Sequence, residues 1–386
     1  MFRNQVSRRA GRLLAALTTL ALVAACSSEG SGDDSTYLVG FPALESGPAA
    51  FAGVPIVKGA KLAAKEINDT GYLGAGKKVR LDVKDIKGDP AQAISLYRQY
   101  VADGASGVLC CGLSSEAGAI APLIKQNRVP AIVTSAVAPG LASPPYLYRP
   151  VILPSAKGGL YDQFVDKIAK AEKYRTAVLV VTGDNDGMVA DGQVWKAALE
   201  RNGVRVLKTV RTNAADTNFT SPATETASAA PDVVISSQLG TPSALLAKSL
   251  RERGYTKRIL SSYGVDSQEL FKSSGGGLAG TTFFATFHAG FGGDAAGKFV
   301  QAYKAEYGAE PDMYGAQGYT AMYLLAQGLK DAGSKEAQDV ATALSKITSQ
   351  DTVYGKLSYQ GGQASMTSPP VYLEWQKDGT LKEWTG

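Results

Sequence analysis

The sequence predicts an α/β protein of two lobes, each a doubly wound parallel sheet, and three observations carry that reading. A short apolar strand, a turn and an amphipathic helix recur in that order from Thr36 to Val133. The same rhythm restarts near Ser155 and runs to Ser262. Strands alternating with helices specify parallel sheets covered on both faces. About 360 residues follow Cys26, too many for one ordinary core, so two domains are expected.

Each element has a local reason. Tyr37 to Phe41 is apolar and reads as the first strand. From Val54 to Asn68, Ile56, Ala60, Ala63, Ala64 and Ile67 share one helical stripe, and Gly71 is placed to end the helix. Val79, Leu81 and Val83 alternate as a strand. Asp89-Pro90 is a cap followed by proline in the first turn, opening a helix to about Asp103. Gly107 to Cys111 is a buried strand, Glu116 to Gln126 a helix, and Ala131 to Val133 the next strand. In the second series the strands are Ala177 to Val181, Val204 to Val210, Val233 to Ser237 and Ile259 to Ser262. Helices span Gly158 to Ala171, Val189 to Asn202 and Pro242 to Arg253, and Gly203 and Gly254 stand where a helix end favours a left-handed residue. Helices at Ala295 to Tyr307, Tyr314 to Ala332 and Glu336 to Ile347, then strands at Val353 to Tyr359 and Pro370 to Trp375, are expected to complete both lobes.

The N-terminal segment is of another kind. Arg3, Arg8, Arg9 and Arg12 precede an apolar stretch from Leu13 to Val23, and no acid lies among the first twelve residues. A basic start, a short apolar run and small residues at its end make a secretory signal. The run is too short to span a bilayer. Val23-Ala24-Ala25-Cys26 resembles the bacterial lipobox, so residues 1–25 are expected to be removed and Cys26 to carry lipid, palmitate included, at the cell membrane. The Ser/Gly/Asp-rich residues 26–35 then form a flexible tether. Ser7-Arg8-Arg9 is a partial match to a twin-arginine export signal. The chain carries 40 Lys and Arg against 35 Asp and Glu. Without the four leading arginines the balance is 36 to 35, scattered, which excludes a nucleic-acid footprint.

Catalytic material is scarce. One histidine, His288, leaves no His-dependent triad or zinc cluster and reads as part of a connecting segment. Gly74-Ala75-Gly76 lies in a turn before a strand, the wrong place for a dinucleotide fingerprint. Asp184-Asn185-Asp186-Gly187 has its glycine too early for a calcium loop and reads as a strand-to-helix turn. Neither a cofactor nor a metal is expected. A bridge between neighbouring cysteines brings its Cα atoms closer than ordinary disulfide geometry prefers, so Cys110 and Cys111 read as two buried thiols.

What remains is binding chemistry. In open α/β sheets ligands sit beyond the carboxyl ends of the strands, where helix N-termini present free N–H groups. Ser114-Ser115 follows the strand ending at Cys111, and Thr134-Ser135-Ala136-Val137 follows the strand ending at Val133. Small hydroxyl-bearing loops of this kind suit a carboxylate. Ser114 could equally cap its own helix.

Several segments resemble the leucine/isoleucine/valine-binding proteins of bacterial ABC importers. They are Ser46-Gly47-Pro48, Gly59-Ala60, Asp89-Pro90-Ala91-Gln92-Ala93, Ser114-Ser115, Ser135 to Pro139, and Asp351 to Gly355. The resemblance runs from about Tyr37 to Trp384. It implies a type I periplasmic-binding-protein fold, two lobes joined by three crossovers that close on a ligand and present a surface to the membrane permease. Lobe one would be 36–152 plus 288–350, and lobe two 153–287 plus 351–386. The protein would be a monomeric, lipid-anchored, extracytoplasmic solute-binding subunit with no enzymatic activity. A ligand sensor signalling through a membrane receptor is the alternative.

Carried over position by position, the resemblance gives Ser114 and the backbone of Ser135 and Val137 to the ligand carboxylate, with Ser115 and Ala136 in the same loops. Tyr314 falls where the family packs an aromatic ring, and Phe51 and Ala52 lie in a pocket loop. Gln238, just past a second-series strand, joins the candidates. The departures matter too. Tyr263 replaces the acid that receives an amino acid's ammonium, and Asp186-Gly187-Met188 stands where the family has a tyrosine. Val137 replaces a hydroxyl-bearing residue. Gly88 and Leu113 occupy the family's disulfide positions, so that bridge is absent. Either Asp186 or Asp266 takes the ammonium, or the ligand is a small carboxylate-bearing or amide-like solute other than an amino acid.

Overall fold

The computed structural model describes residues 35–156, 158–290, 293–366 and 370–386. The signal segment, Cys26 and nearly all of the tether lie outside the described residues. Thr36–Gly386 is one compact unit, and among its described residues no helix is long and apolar enough to cross a membrane.

The first series folds as β1 (Thr36–Ala43), α1 (Ala50–Asp69), β2 (Lys78–Asp85), α2 (Pro90–Ala102), β3 (Gly107–Cys110), α3 (Ser114–Asn127), β4 (Ala131–Val133) and β5 (Leu147–Tyr148). These strands form one all-parallel sheet in the order β2-β1-β3-β4-β5. Val39, Leu109 and Ile132 are fully buried at its centre, as expected of strands covered on both faces. The Asp89 side chain caps α2 by accepting from the Ala91 N–H at 2.8 Å. Helix α1 starts a turn earlier than the sequence suggested. Pro55 therefore lies inside it and denies the Phe51 carbonyl its helical donor.

The second series is α4 (Leu160–Glu172), β6 (Thr176–Thr182), α5 (Asp186–Arg201), β7 (Arg205–Thr212), α6 (Thr220–Ser228), β8 (Val233–Ser237), α7 (Gly240–Glu252), β9 (Ile259–Ser261), a 3-10 turn at Tyr263–Val265, α8 (Gln268–Ser273) and β10 (Thr281–Ala285). The chain continues through α9 (Asp294–Tyr307), α10 (Met313–Ala332), α11 (Ala337–Leu344), β11 (Ser349–Thr352), β12 (Gly355–Gln360), β13 (Gln363–Met366), β14 (Val371–Trp375) and β15 (Leu381–Glu383). The second sheet runs β15-β14-β10-β9-β8-β6-β7, parallel from β10 to β7 and antiparallel at the β14 and β15 edge. Trp195, fully buried on α5, packs on Tyr161 and Phe164 of α4. Gly203 and Gly254 both take positive φ, 76° each, just past α5 and α7.

Three features differ from the sequence reading. Residues 349–366 form a separate antiparallel sheet, β11-β12-β13, instead of one strand. Arg149 joins it to the end of β5, its N–H donating to Gly362 and its carbonyl accepting from Ala364. Cys110 and Cys111 are joined by a disulfide, not left as two thiols. Their Cα atoms lie 3.7 Å apart, and the turn is made possible by Cys111 adopting a φ of 65°. Elements α6, α8 and β10 were not expected.

Candidate functional site

The carboxyl ends of the two large sheets face one cavity, and the turns after their strands build its walls. Ser114 is the first residue of α3, whose N-cap is Leu113, so Ser114 does not cap its own helix. Its hydroxyl instead accepts the Ala138 N–H at 3.1 Å, tying α3 to the loop after β4. That loop is also held from below. The Cys111 carbonyl accepts the N–H groups of Ser135 and Ala136, at 3.3 and 3.0 Å, and the Cys110 carbonyl accepts that of Thr134. The Val137 N–H has no partner among the described residues. Replacing Ser114 by Ala strands the buried Ala138 N–H, and a loss of about 1–3 kcal/mol is expected. Urea unfolding and ligand titration of Ser114→Ala should both register it.

The opposite wall comes from the second sheet. The Asn185 side chain caps α5, accepting from the Met188 N–H at 3.1 Å. Gln238 is fully buried; its side-chain amide donates to the Thr212 hydroxyl at 2.7 Å, while its backbone carbonyl accepts from the Ser262 hydroxyl. Tyr263 and Gly264 follow β9. The walls touch at several points. A Cβ on Gly187 would come within 2.8 Å of the Ser114 hydroxyl and 3.1 Å of Val137. The Thr241 hydroxyl donates to the Pro48 carbonyl at 3.2 Å, and the Met313 N–H donates to Asp266 at 3.3 Å.

Of the residues selected from sequence, Phe51, Ala52, Ser114, Ser135, Ala136 and Val137 line the cavity from one side. Gln238, Tyr263 and Tyr314 line it from the others. Phe51 and Tyr314 meet edge to face with ring centroids 5.8 Å apart. Three stand outside the lining. Ser115 is exposed on the first turn of α3, Asp186 is exposed on the first turn of α5, and Asp266 is directed at the N-terminus of α10. Asn185, Met188 and Ser262 line the cavity without having been singled out.

The electrostatics are one-sided. No Asp, Glu, Lys or Arg is among the lining residues. The N-termini of α3, α5 and α7 reach the lining through Ser114, Asn185 and Gly240. Each presents unpaired N–H groups and the positive end of a helix dipole. Behind the Ser135–Ala138 loop lies Arg149, only 1% exposed, donating to the Ala138 carbonyl at 2.6 Å and to Gln363. Burial lowers its guanidinium to about 10, and Tyr263 is the nearby titrating group that opposes this. Glu116, buried in the first turn of α3, accepts the Leu113 N–H, and burial raises its carboxyl to about 7. An acid poised in this way contributes less negative charge near neutrality than an ordinary glutamate would. The cavity holds about 50 Å³, several times what one water needs. Among the described residues no cluster of His, Cys, Asp or Glu could hold a metal.

Two crossed-over α/β lobes around a positively biased, uncharged cleft define a ligand-trapping protein. The chain belongs to the periplasmic binding protein family, whose model matches residues 36–380. It is 27% identical to Leu/Ile/Val-binding protein homolog 1 of Brucella abortus, over 88% of this chain and 90% of that one. Among solved structures, LivJ of Streptococcus pneumoniae in complex with isoleucine superposes with a TM-score of 0.81 at 23% identity, covering 90% of this chain and 98% of that one. A solute-binding protein of an ABC transporter from R. palustris, in complex with benzoate, superposes with a TM-score of 0.78 at 20% identity over 90% and 95% of the two chains. The fold is the type I periplasmic-binding-protein fold. The protein is an extracytoplasmic solute-binding protein of this family and not an enzyme.

Proposed function

We propose that the protein is the solute-binding subunit of an ABC importer, and that its solute is a small carboxylate with an apolar body and no α-ammonium group, held between two lobes that close on it. The observation that carries this is the lining itself, in which helix N-termini converge and no carboxylate appears. A buried ammonium there would find hydroxyl and amide oxygens but no carboxylate counter-charge, and burying a charge without a charged partner costs several kcal/mol. A carboxylate would find the Val137 N–H, the first N–H groups of α3 and the field of Arg149. Phe51, Tyr314, Val137 and Met188 supply the apolar walls. Both ligands named for the structural neighbours, isoleucine and benzoate, carry a carboxylate, and only benzoate lacks the ammonium. Lipid attachment at Cys26, a monomeric state and lobe limits near residues 152, 288 and 350 complete the proposal.

The test is a thermal-shift screen of the protein without residues 1–26 against benzoate, aliphatic acids, amides and branched-chain amino acids. A ligand at a hundred times its Kd adds about 2.7 kcal/mol of stability. Shifts with benzoate-like acids and none with isoleucine are expected. Tight isoleucine binding would overturn the reading.

The same geometry predicts a pH dependence. Asp266, from the second-sheet side, meets the N-terminus of α10, where Asp312 accepts the Gly315 N–H at 2.9 Å. Burial raises the Asp266 carboxyl, and Asp312 is raised by burial and then by Asp266. The other titrating groups beside them are the phenols of Tyr303, Tyr314 and Tyr354, all raised by burial. Opening would return both acids to the ordinary carboxylate range near 4. The closed form therefore binds more protons at every pH between that value and the raised one, and closure loses stability as pH rises through the interval. Ligand affinity is expected to strengthen from pH 8 to pH 5.5, by up to about tenfold per unit for each proton taken up. Asp312→Asn keeps an acceptor for the helix cap and should flatten the profile in a calorimetric titration.

A further inference from the structure

We propose that the Cys110–Cys111 disulfide positions both loops of the carboxylate pocket, and that its two-electron reduction loosens them and weakens ligand binding. The inference concerns regulation of the site and rests on the pocket reading above. Both cysteines are buried, Cys110 completely, at the point where β3 turns into the α3 loop. Their two carbonyls lie behind the lining and hold the loop after β4 that forms one side of it. Cys110 accepts from the Thr134 N–H and hydroxyl, and Cys111 accepts from Ser135 and Ala136. On the other side, Gly112, Leu113 and Ser114 pass directly into the cavity lining. One covalent feature thus sets the path of both segments that face a bound carboxylate.

The backbone explains why the sulfur bond matters. Cys111 sits at a φ of 65°, a left-handed conformation that a residue bearing a Cβ adopts reluctantly. The bond to Cys110 closes a small ring through this peptide and restricts how it can relax. An external dithiol would give two hydrogens to the pair. The sulfur–sulfur bond breaks, each sulfur gains one electron and one proton, and the dithiol is oxidised to its own disulfide. Cys111 can then leave the left-handed region and carry its carbonyl away from the Ser135 and Ala136 N–H groups. Outside the cytoplasm the oxidised, high-affinity form is the resting state.

The test is calorimetric titration of the full-length protein with benzoate and with isoleucine as probes, air-oxidised and after dithiothreitol. Peptide mass mapping of the segment holding both cysteines reports its state independently of Cys26. The expected result is a bridged pair as isolated, affinity weaker by about tenfold on reduction, and recovery on reoxidation. The double variant Cys110→Ser, Cys111→Ser should match the reduced protein and ignore dithiothreitol. Equal affinities in both states, or two free thiols in the protein as isolated, would overturn the proposal. Should that variant fail to fold, the reduced and oxidised wild type decide. Should neither probe bind, the pocket reading fails separately, and hydrogen exchange at residues 112–116 and 134–138 then decides. Faster exchange on reduction supports the disulfide's role, and unchanged exchange overturns it.

Discussion

Gly187→Val should lower ligand affinity at least about a hundredfold while leaving the fold intact. Gly187 is the second residue of α5, and the absence of a side chain there lets two walls meet. A Cβ alone would sit 2.8 Å from the Ser114 hydroxyl and 3.1 Å from Val137, both on the opposite side of the cleft. Ser114 cannot swing aside freely, because it accepts the Ala138 N–H. The two branches of valine therefore wedge the walls apart and keep the helix N-termini from converging on a carboxylate. A ligand held from one wall only loses about half of its contacts, and a hundredfold corresponds to about 2.7 kcal/mol. The contacts with Ser114 and Val137 exist only when the cleft is shut, and the remaining one, 3.1 Å to the Asn185 cap oxygen, is tight in either state, so thermal stability without ligand should fall far less than affinity does. Small-angle scattering should show a protein that no longer compacts on adding ligand. An unaltered Kd would mean that the walls need not meet for binding.

That wedge was invisible in the sequence, where Asp186-Gly187-Met188 reads only as a departure from the family pattern. Most of the sheet core was legible because parallel strands buried on both faces are short apolar runs, and Ala131–Val133 and Val233–Ser237 stand where the pattern puts them. Helix α6 was missed because Thr220–Ser228 carries only Ala223 and Thr226 as buried residues, too few for an apolar stripe. Strand β11, Ser349–Thr352, is polar and mostly outside the core, so alternation gives no signal. In the site, the hydroxyl loops were legible as places where strands end. Asn185 was within reach, since asparagine directly before a helix is a capping signal. Arg149 was not. It is a single arginine after a two-residue strand, and its role depends on β13 more than two hundred residues later. The disulfide was rejected on Cα spacing, but the backbone turn at Cys111 accommodates it.

Gly318→Val should cost the protein most of its stability. Helices α1 and α10 cross at glycines on both partners. A Cβ on Gly59 would fall on the Gly315 carbonyl oxygen, and one on Gly318 on the Ile56 carbonyl oxygen. Backbone cannot rotate away as a flexible side chain can, so the helices must separate along the whole crossing. Overpacking a core ordinarily costs about 1–3 kcal/mol, and a clash against main chain lies at or beyond the top of that range. A domain of ordinary stability has about 5–15 kcal/mol in hand, so Gly318→Val is expected to unfold at far lower urea and to accumulate poorly. Gly318→Ala should show the same direction with a smaller shift. Because α10 also carries Tyr314 to the cavity and Asp312 to the meeting with Asp266, even a partly folded Ala variant should bind ligand more weakly. The glycine just past the end of α10 makes the control. Gly333 lies past the helix end at positive φ with nothing within 4 Å of a Cβ, so Gly333→Ala strains only the local backbone, by about 1–2 kcal/mol, and should leave the ligand Kd unchanged.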